Sequence, residues 1–374
     1  MGQRRRALED VDVKAGFWRG RSVFVTGHTG FKGGWLALWL QQAGALVHGY
    51  SLAPPTTPNL FSEAEVAAGL VSHTVDDIRN ANALHAALAA AAPDVVFHLA
   101  AQPLVRYSYA EPVETFEVNV LGTVNLFEAV RCCASVRAVV NVTTDKCYEN
   151  RGDGREFRET DPLGGHDPYA ASKACSELVT ASYRDAFLAG AGVAVASARA
   201  GNVIGGGDWA PDRLVPDVLR ASDAQHLVSI RHPEATRPWQ HVLDPLSGYL
   251  LLAQRLVESP GGAERDALAS AWNFGPAAED ARPVAWLLDH LMAKLPGASW
   301  QRASGVHPHE APQLQLDSRK ARDTLGWRPR WRLGHALDRT VDWHQAWRRG
   351  EAMRAVSLAQ IEAHAAAAAE SAVA

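Results

Sequence analysis

Ser22-Val23-Phe24-Val25-Thr26 runs straight into Gly27-His28-Thr29-Gly30-Phe31-Lys32-Gly33-Gly34, and this junction decides the fold. The first five residues are a β-branched apolar run of strand length, and beyond the glycines Trp35, Leu36, Trp39 and Leu40 fall on one helical face. A glycine-rich turn between a strand and a helix lets backbone N–H groups approach a pyrophosphate and aims a helix N-terminus at negative charge. The spacing is G-x-x-G-x-x-G, one residue different from the familiar G-x-G-x-x-G, but the physical need is the same.

Outward from this junction the same alternation continues. Strand candidates at 45–52, 69–75, 94–99, 136–143 and 192–199 are separated by amphipathic or Ala-rich stretches. Such a pattern predicts an α/β chain: a Rossmann-like, doubly wound parallel sheet with right-handed crossovers. After Ala200 the texture changes to Gly205-Gly206-Gly207 with scattered Pro and Trp. Residues 16–200 therefore read as the dinucleotide-binding domain and 201–357 mainly as a smaller C-terminal substrate-binding lobe, with 239–255 a candidate for return to the first domain. The Ala-rich tail, 358–374, reads as a loose helix or as disorder.

Composition narrows the function. A formal net charge of -4 over 374 residues, with 47% apolar and 21% charged residues, is that of an ordinary globular chain and advertises no nucleic-acid partner. Arg4-Arg5-Arg6 is too short a basic run to be given a role. The most apolar stretch, 83–105, is interrupted by His85, Pro93, Asp94 and His98, so no membrane partner is expected. The four cysteines form no C-x-x-C pair and there is no zinc-type His spacing, which predicts no metal and a reducing, cytoplasmic setting.

Two segments carry the chemistry. Thr143-Thr144-Asp145-Lys146-Cys147-Tyr148 follows a predicted strand, at the sheet edge where doubly wound folds bind ligands. About 25 residues on, Tyr169-Ala170-Ala171-Ser172-Lys173 opens a helix after Pro168. Tyr and Lys at i and i+4 share a helical face, so the ammonium is expected to lower the phenol's pKa and make Tyr169 a base. Near the cofactor, the strand after the glycines ends at Tyr50-Ser51-Leu52 with no carboxylate for a ribose, which leaves NAD and NADP both open; Asp77, beside Ile78, is a candidate acceptor for an adenine amino group. For a nucleotide diphosphate, Arg237 is the best placed guanidinium, with Asn202 and Arg213 further candidates and Arg231 and His232 either sharing the work or lying on the surface.

The ordered set of the glycine turn, His98-Leu99-Ala100-Ala101-Gln102, Asn119-Val120-Leu121-Gly122-Thr123, Thr144-Asp145-Lys146, Tyr169/Lys173 and Arg199-Ala200-Gly201-Asn202-Val203 resembles the extended short-chain dehydrogenase/reductases that modify nucleotide sugars. Gly30-Phe31-Lys32-Gly33-Gly34-Trp35, Gln102-Pro103-Leu104-Val105-Arg106, Gly205-Gly206-Gly207-Asp208-Trp209 and Arg237-Pro238-Trp239-Gln240-His241-Val242 resemble the CDP-glucose 4,6-dehydratase branch. The resemblance implies NAD held by Gly27, Thr29, Gly30, Phe31, Lys32, Gly33, Asp77, Ile78, Leu99, Ala100, Ala101, Asn119, Thr143, Tyr169 and Lys173. It implies a nucleotide-diphosphate sugar, CDP-glucose, met by Gln102, Arg106, Asn202, Arg213, Arg237 and His309. Catalysis would fall to Thr144, Asp145, Lys146, Tyr169 and Lys173: oxidation at carbon 4, loss of water from carbons 5 and 6 with Asp145 as acid, and hydride return to carbon 6. Where the dTDP-glucose enzymes have Glu after that Asp, this chain has Lys146, which serves as base only if burial or a neighbouring cation depresses its pKa and otherwise stabilises an enolate. An epimerase or reductase would use the same Tyr, Lys and Thr without the acid, and a dinucleotide-sensing regulator commonly loses Tyr or Lys. The resemblance also implies a homodimer or homotetramer and a part in deoxysugar biosynthesis, as for O-antigens.

Overall fold

The computed structural model describes residues 13–295, 299–303 and 314–371. Seven strands form its central sheet: β1 (Ser22–Thr26), β2 (Leu46–Ser51), β3 (Leu70–Val75), β4 (Val95–His98), β5 (Ala138–Val142), β6 (Ala194–Arg199) and β7 (Ala271–Asn273). Their spatial order is β7-β6-β5-β4-β1-β2-β3, and every pair is parallel. The chain winds outward from β1 to β3, then returns to place β4 on the other side of β1. That reversal opens a crevice at the C-terminal ends of β1 and β4, the place where open α/β sheets bind ligands. β4, β5 and β6 are buried at every residue, as expected of strands covered on both faces, whereas β3 lies at the open edge and is largely exposed.

Helices cover the sheet in two layers. On one face α1 (Phe31–Gln42) and α6 (Leu243–Glu258) bury Trp35, Leu38, Leu246 and Leu250 in one core with Val25, Val140 and Ala196. On the other, α2 (Ala81–Ala91) and α3 (Gly122–Arg131) pack Leu84, Leu88, Leu126 and Phe127 against Phe24, Val96 and Val139, with α4 (Pro168–Tyr183) alongside. A third core joins α5 (Leu214–Asp223), α7 (Val284–Met292) and α8 (Leu333–Arg348) through Val218, Leu287 and Leu337. Beyond residue 200 the chain therefore crosses between this outer core and the sheet: α6 packs on the sheet, and β7, a strand of three residues, extends it beside β6.

The Ala-rich segment is a docked helix rather than a loose one. Helix α9 (Met353–Ser371) lies on α1, with the His364 ring 5.5 Å from that of Trp39 and 5.0 Å from that of Trp331. His364 Nε2 and Asp244 Oδ1 are 2.9 Å apart and wholly buried, while Gln42 donates to Glu362 at 2.8 Å across the exposed rim. Among the described residues no helix is long and apolar enough to cross a membrane.

His364→Ala removes a buried ring and one partner of a buried carboxylate, so it should cost about 2 to 5 kcal/mol in denaturant unfolding. A loss below about 1 kcal/mol would show that α9 lies outside the cooperative unit.

Candidate active site

The glycine turn is built so that no side chain can intrude. A Cβ on Gly33 would stand 2.1 Å from the Gly27 carbonyl oxygen, and one on Gly27, whose φ is +77°, would stand 2.7 Å from Ala100 N. Leu99 and Ala100 are drawn to the turn by their N–H groups, which both donate to Thr26 Oγ1 at 3.1 Å. Gly30 caps α1 without a side-chain acceptor, so the first N–H groups of the helix, those of Phe31 and Lys32 among them, have no side-chain partner there. These residues fit a dinucleotide pyrophosphate: the close backbone approach and the uncapped N-terminus are what that group needs.

Other residues proposed for the cofactor hold the cradle together. Thr29 Oγ1 donates to Leu52 O at 2.8 Å and meets Ser51 Oγ at 2.8 Å, tying the turn to the end of β2. Ile78 is core, pressed against Gly122. The Asp77 carboxylate takes Arg79 in hydrogen bonds of 3.0 and 2.7 Å, and that partner holds it below the usual carboxylate range. Asn119 lies in a wide π turn (Glu117–Leu121) of the helix that continues into α3. Its amide accepts from Gln102 N at 2.9 Å and donates to Gln102 O and to Ser172 Oγ at 2.8 Å, which fastens the loop after β4, including Ala101, to α4. The Thr143 hydroxyl donates inward to Glu177.

Helix α4 starts because Asp167 accepts from Ala170 N at 2.9 Å and Pro168 occupies the first helical position. Tyr169, Lys173 and Glu177 then share one buried face. Opposite them, after β5, Thr144 Oγ1 donates to Asp145 Oδ1 at 3.0 Å and accepts from Lys146 N at 3.3 Å. Thr144 also lies close enough to the Tyr169 phenol to be among the groups that influence it. Tyr169, Thr144 and Asp145 are 8%, 6% and 1% exposed, and Asp145 Oδ2 has no hydrogen-bond partner. A side chain at residue 201 would close on that oxygen: a Cβ on Gly201 would stand 2.6 Å from it.

The electrostatics differ from the sequence reading in one respect. Burial pushes the Tyr169 phenol up to about 12, Asp145 adds to the rise, and the opposing influences are Thr144 and Arg213 rather than Lys173. Lys173 is itself brought down to about 8 by burial, against the negative charge of Glu177. Desolvation outweighs the helical proximity of ammonium and phenol.

Lys146 keeps 38% of its side chain exposed, with Nζ 4.0 Å from Asp145 Oδ1. Lys32 is lowered to about 8 by burial, Arg213 and Lys173, while Asp145 opposes them. Its ammonium sits 5.9 Å over the ring of Tyr249, a residue of α6 that sequence reasoning missed. The Tyr249 hydroxyl is buried without a hydrogen-bond partner, and burial and the charge of Asp145 push it well above the usual phenol range. No local motif marks Tyr249, because its place in the site comes from the packing of α6.

The substrate candidates are distributed around this centre. Arg213 donates to Asp208 Oδ2 at 2.8 Å and lies close enough to Tyr169 and Lys32 to shift both. Arg106 pairs with Asp212 at 2.5 Å on the exposed rim. Gln102 faces inward, bonding Thr115 Oγ1 at 2.9 Å and Leu104 N at 2.5 Å, so its side chain shapes the loop. Asn202 accepts Gln240 N at 3.0 Å through its backbone. Arg237 is in the short strand Thr236–Pro238, and a Cβ on Gly201 would meet Pro238 at 3.5 Å, which places that strand beside Asp145. His309 lies outside the described residues.

Comparison with known proteins bears on the family and the fold. The chain is 50% identical over 355 residues to the CDP-glucose 4,6-dehydratase of Salmonella typhimurium, covering 93% of this chain and 97% of that one. Among solved structures, the epimerase Mth375 of Methanothermobacter thermautotrophicus shares the fold, with a TM-score of 0.75 at 23% identity over 90% of this chain and 96% of that one. MoeE5 in complex with UDP-glucose and NAD superposes with a TM-score of 0.69 at 26% identity, covering 88% of this chain and 99% of that one. The model of the family described as GDP-mannose 4,6 dehydratase matches residues 24–274, and the chain belongs to that family.

Proposed function

We propose that this chain dehydrates CDP-D-glucose to CDP-4-keto-6-deoxy-D-glucose with NAD as its cofactor. The observation that carries the reading is Asp145, buried with one oxygen on Thr144 and the other unpartnered, beside Tyr169. An epimerase needs the tyrosine and the threonine but has no departing hydroxyl to protonate. The identity to the Salmonella enzyme supports the same substrate. NAD, when bound, takes hydride from carbon 4 and gives it back to carbon 6.

The chain's own residues divide the remaining work. Tyr169, in its phenolate form, takes the proton of the carbon 4 hydroxyl, which Thr144 holds; Lys173 adds positive charge from the next turn of α4. Oxidation makes the carbon 5 proton acidic. Asp145 gives its proton to the hydroxyl that leaves carbon 6, with Lys146 Nζ 4.0 Å from its Oδ1. Arg213 and Arg237 are the candidates to meet the diphosphate, and the outer core of α5, α7 and α8 is the substrate's side of the cleft.

We also propose that the protein pairs with a second copy through α4 and the helix leading into α3. Ala170 and Ala174 of α4 face inward at 5% and 6% exposure. The outward face is instead apolar and large: Val113, Leu121, Leu178 and Phe187 are all exposed. Leu178→Glu should convert a dimer or tetramer to smaller species in sedimentation equilibrium at micromolar concentration, whereas a wild-type monomer there would refute the interface.

Purified protein with NAD and a panel of CDP-, dTDP-, UDP- and GDP-hexoses should lose one water from CDP-glucose by mass, with no net NADH. Stoichiometric NADH would identify a simple dehydrogenase instead. Asp145→Asn should slow the elimination by about 10² to 10⁴-fold while oxidation persists, so that NADH lingers during turnover. Near wild-type turnover in that variant would remove Asp145 from the acid role.

A further inference from the structure

The proposed dehydration, on which this inference rests, needs its substrate held in the crevice at the C-terminal ends of β1 and β4. Two lips border that crevice: the first turn of α1, which follows β1, and the short helix Val105–Ala110, which follows β4. Ser108 of the short helix is wholly buried, and its hydroxyl accepts from Tyr169 N at 3.2 Å, so the second lip stands against the start of α4. One segment, 205–213, touches both lips.

Its root is fastened to the first lip. Trp35 of α1 donates to Gly206 O at 2.9 Å, and a Cβ on Gly205 would stand 3.2 Å from Phe31 Cζ. The buried Asp208 then braces the middle: Oδ1 accepts from Ala210 N at 3.0 Å and Oδ2 from Arg213 at 2.8 Å. The tip is held differently. Pro211 and Asp212 are exposed, and among the described residues a single ion pair, Arg106 Nη1 to Asp212 Oδ1 at 2.5 Å, links the segment by hydrogen bond to the second lip. Asp212 has a left-handed backbone, φ +60°, which Asp and Asn tolerate better than most residues. A segment packed at its root and held at its tip by one exposed contact opens at the tip first.

We propose that the Arg106–Asp212 pair is a clasp that closes this strap over the bound nucleotide and sets Arg213, the residue after Asp212, towards the diphosphate. Arg106 and Asp212 are then positioning residues, and the Arg106 guanidinium serves the strap rather than the substrate. With the clasp broken the closed strap is only a fraction of the population, and the apparent affinity for substrate falls by that fraction. The two side chains are 53% and 42% exposed, and exposed pairs are weak, so the loss is on the order of twofold to fivefold.

Asp212→Asn removes the charge and keeps a side chain suited to the left-handed backbone. On the NAD-saturated protein it should raise the calorimetric Kd for CDP by about twofold to fivefold. The KM for CDP-glucose should rise with it while kcat stays within about twofold, as for a loss of uniform binding. Arg106→Gln should weaken CDP to the same degree, and the double variant no further, because both changes remove one interaction. Tighter CDP binding by Asp212→Asn would overturn the clasp and show Arg106 to be a direct ligand that Asp212 holds back. Unchanged binding, or losses that add in the double variant, would overturn it as well. Wild-type protein that binds CDP but releases no water from CDP-glucose is a separate result: it would sink the dehydratase reading, and the clasp would still be decided by the CDP affinities of the variants.

Discussion

The buried ion pair between Glu177 and Arg199 is the constraint on which the catalytic geometry depends. Both side chains are at most 4% exposed, and they meet at 2.7 Å. Burial opposes the charge on Glu177, but Arg199 and the hydroxyls of Ser197 and Thr143 outweigh it and hold the carboxyl below its usual range. Charges removed from water are costly unless paired and hydrogen-bonded, and breaking such a pair costs several kcal/mol; here Arg199 Nε is left without a partner. Here the partners come from separate parts of the chain: Glu177 from α4, Thr143 from the end of β5, Ser197 and Arg199 from β6. Arg199 then donates to Tyr148, whose hydroxyl donates to Asn273 of β7 at 2.7 Å. The helix that carries Tyr169 and Lys173 is thereby locked in register with the strand end that presents Thr144 and Asp145.

This network also explains why the reactive groups are shifted as they are. Lys173, in the second turn of α4, feels Glu177 one turn further on, which partly offsets the loss of its charge by burial. Tyr169 lies farther from the carboxylate and close to Asp145, so burial and like charge act in the same direction. A site this dry makes each hydrogen bond strong and each unpaired atom costly. Asp145 Oδ2 and the Tyr249 hydroxyl are among the buried polar atoms that the fold leaves without a partner.

The first six strands and the glycine turn were legible because their signals are local: apolar runs of strand length, a turn only glycine can make, a capped helix with Tyr and Lys on one face. β7 was not, since three residues between Ser270 and Phe274 become a strand only by pairing with β6, more than 70 residues earlier in the chain. Tyr249 and its closeness to Lys32 were hidden for the same reason. Lys32 reads as part of a cofactor loop, and only the return of α6 to the sheet places a buried phenol under its ammonium. Thr143, Gln102 and Asn119 carry motif residues whose side chains turn inward, where they hold the loops that shape the cleft.

Helix α9 lies over α1, the helix whose first turn forms the dinucleotide cradle, and the hydrogen bond from Gln42 to Glu362 joins residues 320 positions apart. During synthesis the outer surface of that cradle helix, including Trp39, is covered only after a segment about 320 positions further on has been made. Contacts of such long range are closed late and slowly. Until then a nascent chain holds its strands and its glycine turn without the cover that α9 supplies, and the segment exposed to chaperones or to aggregation is the one that will later grip the cofactor.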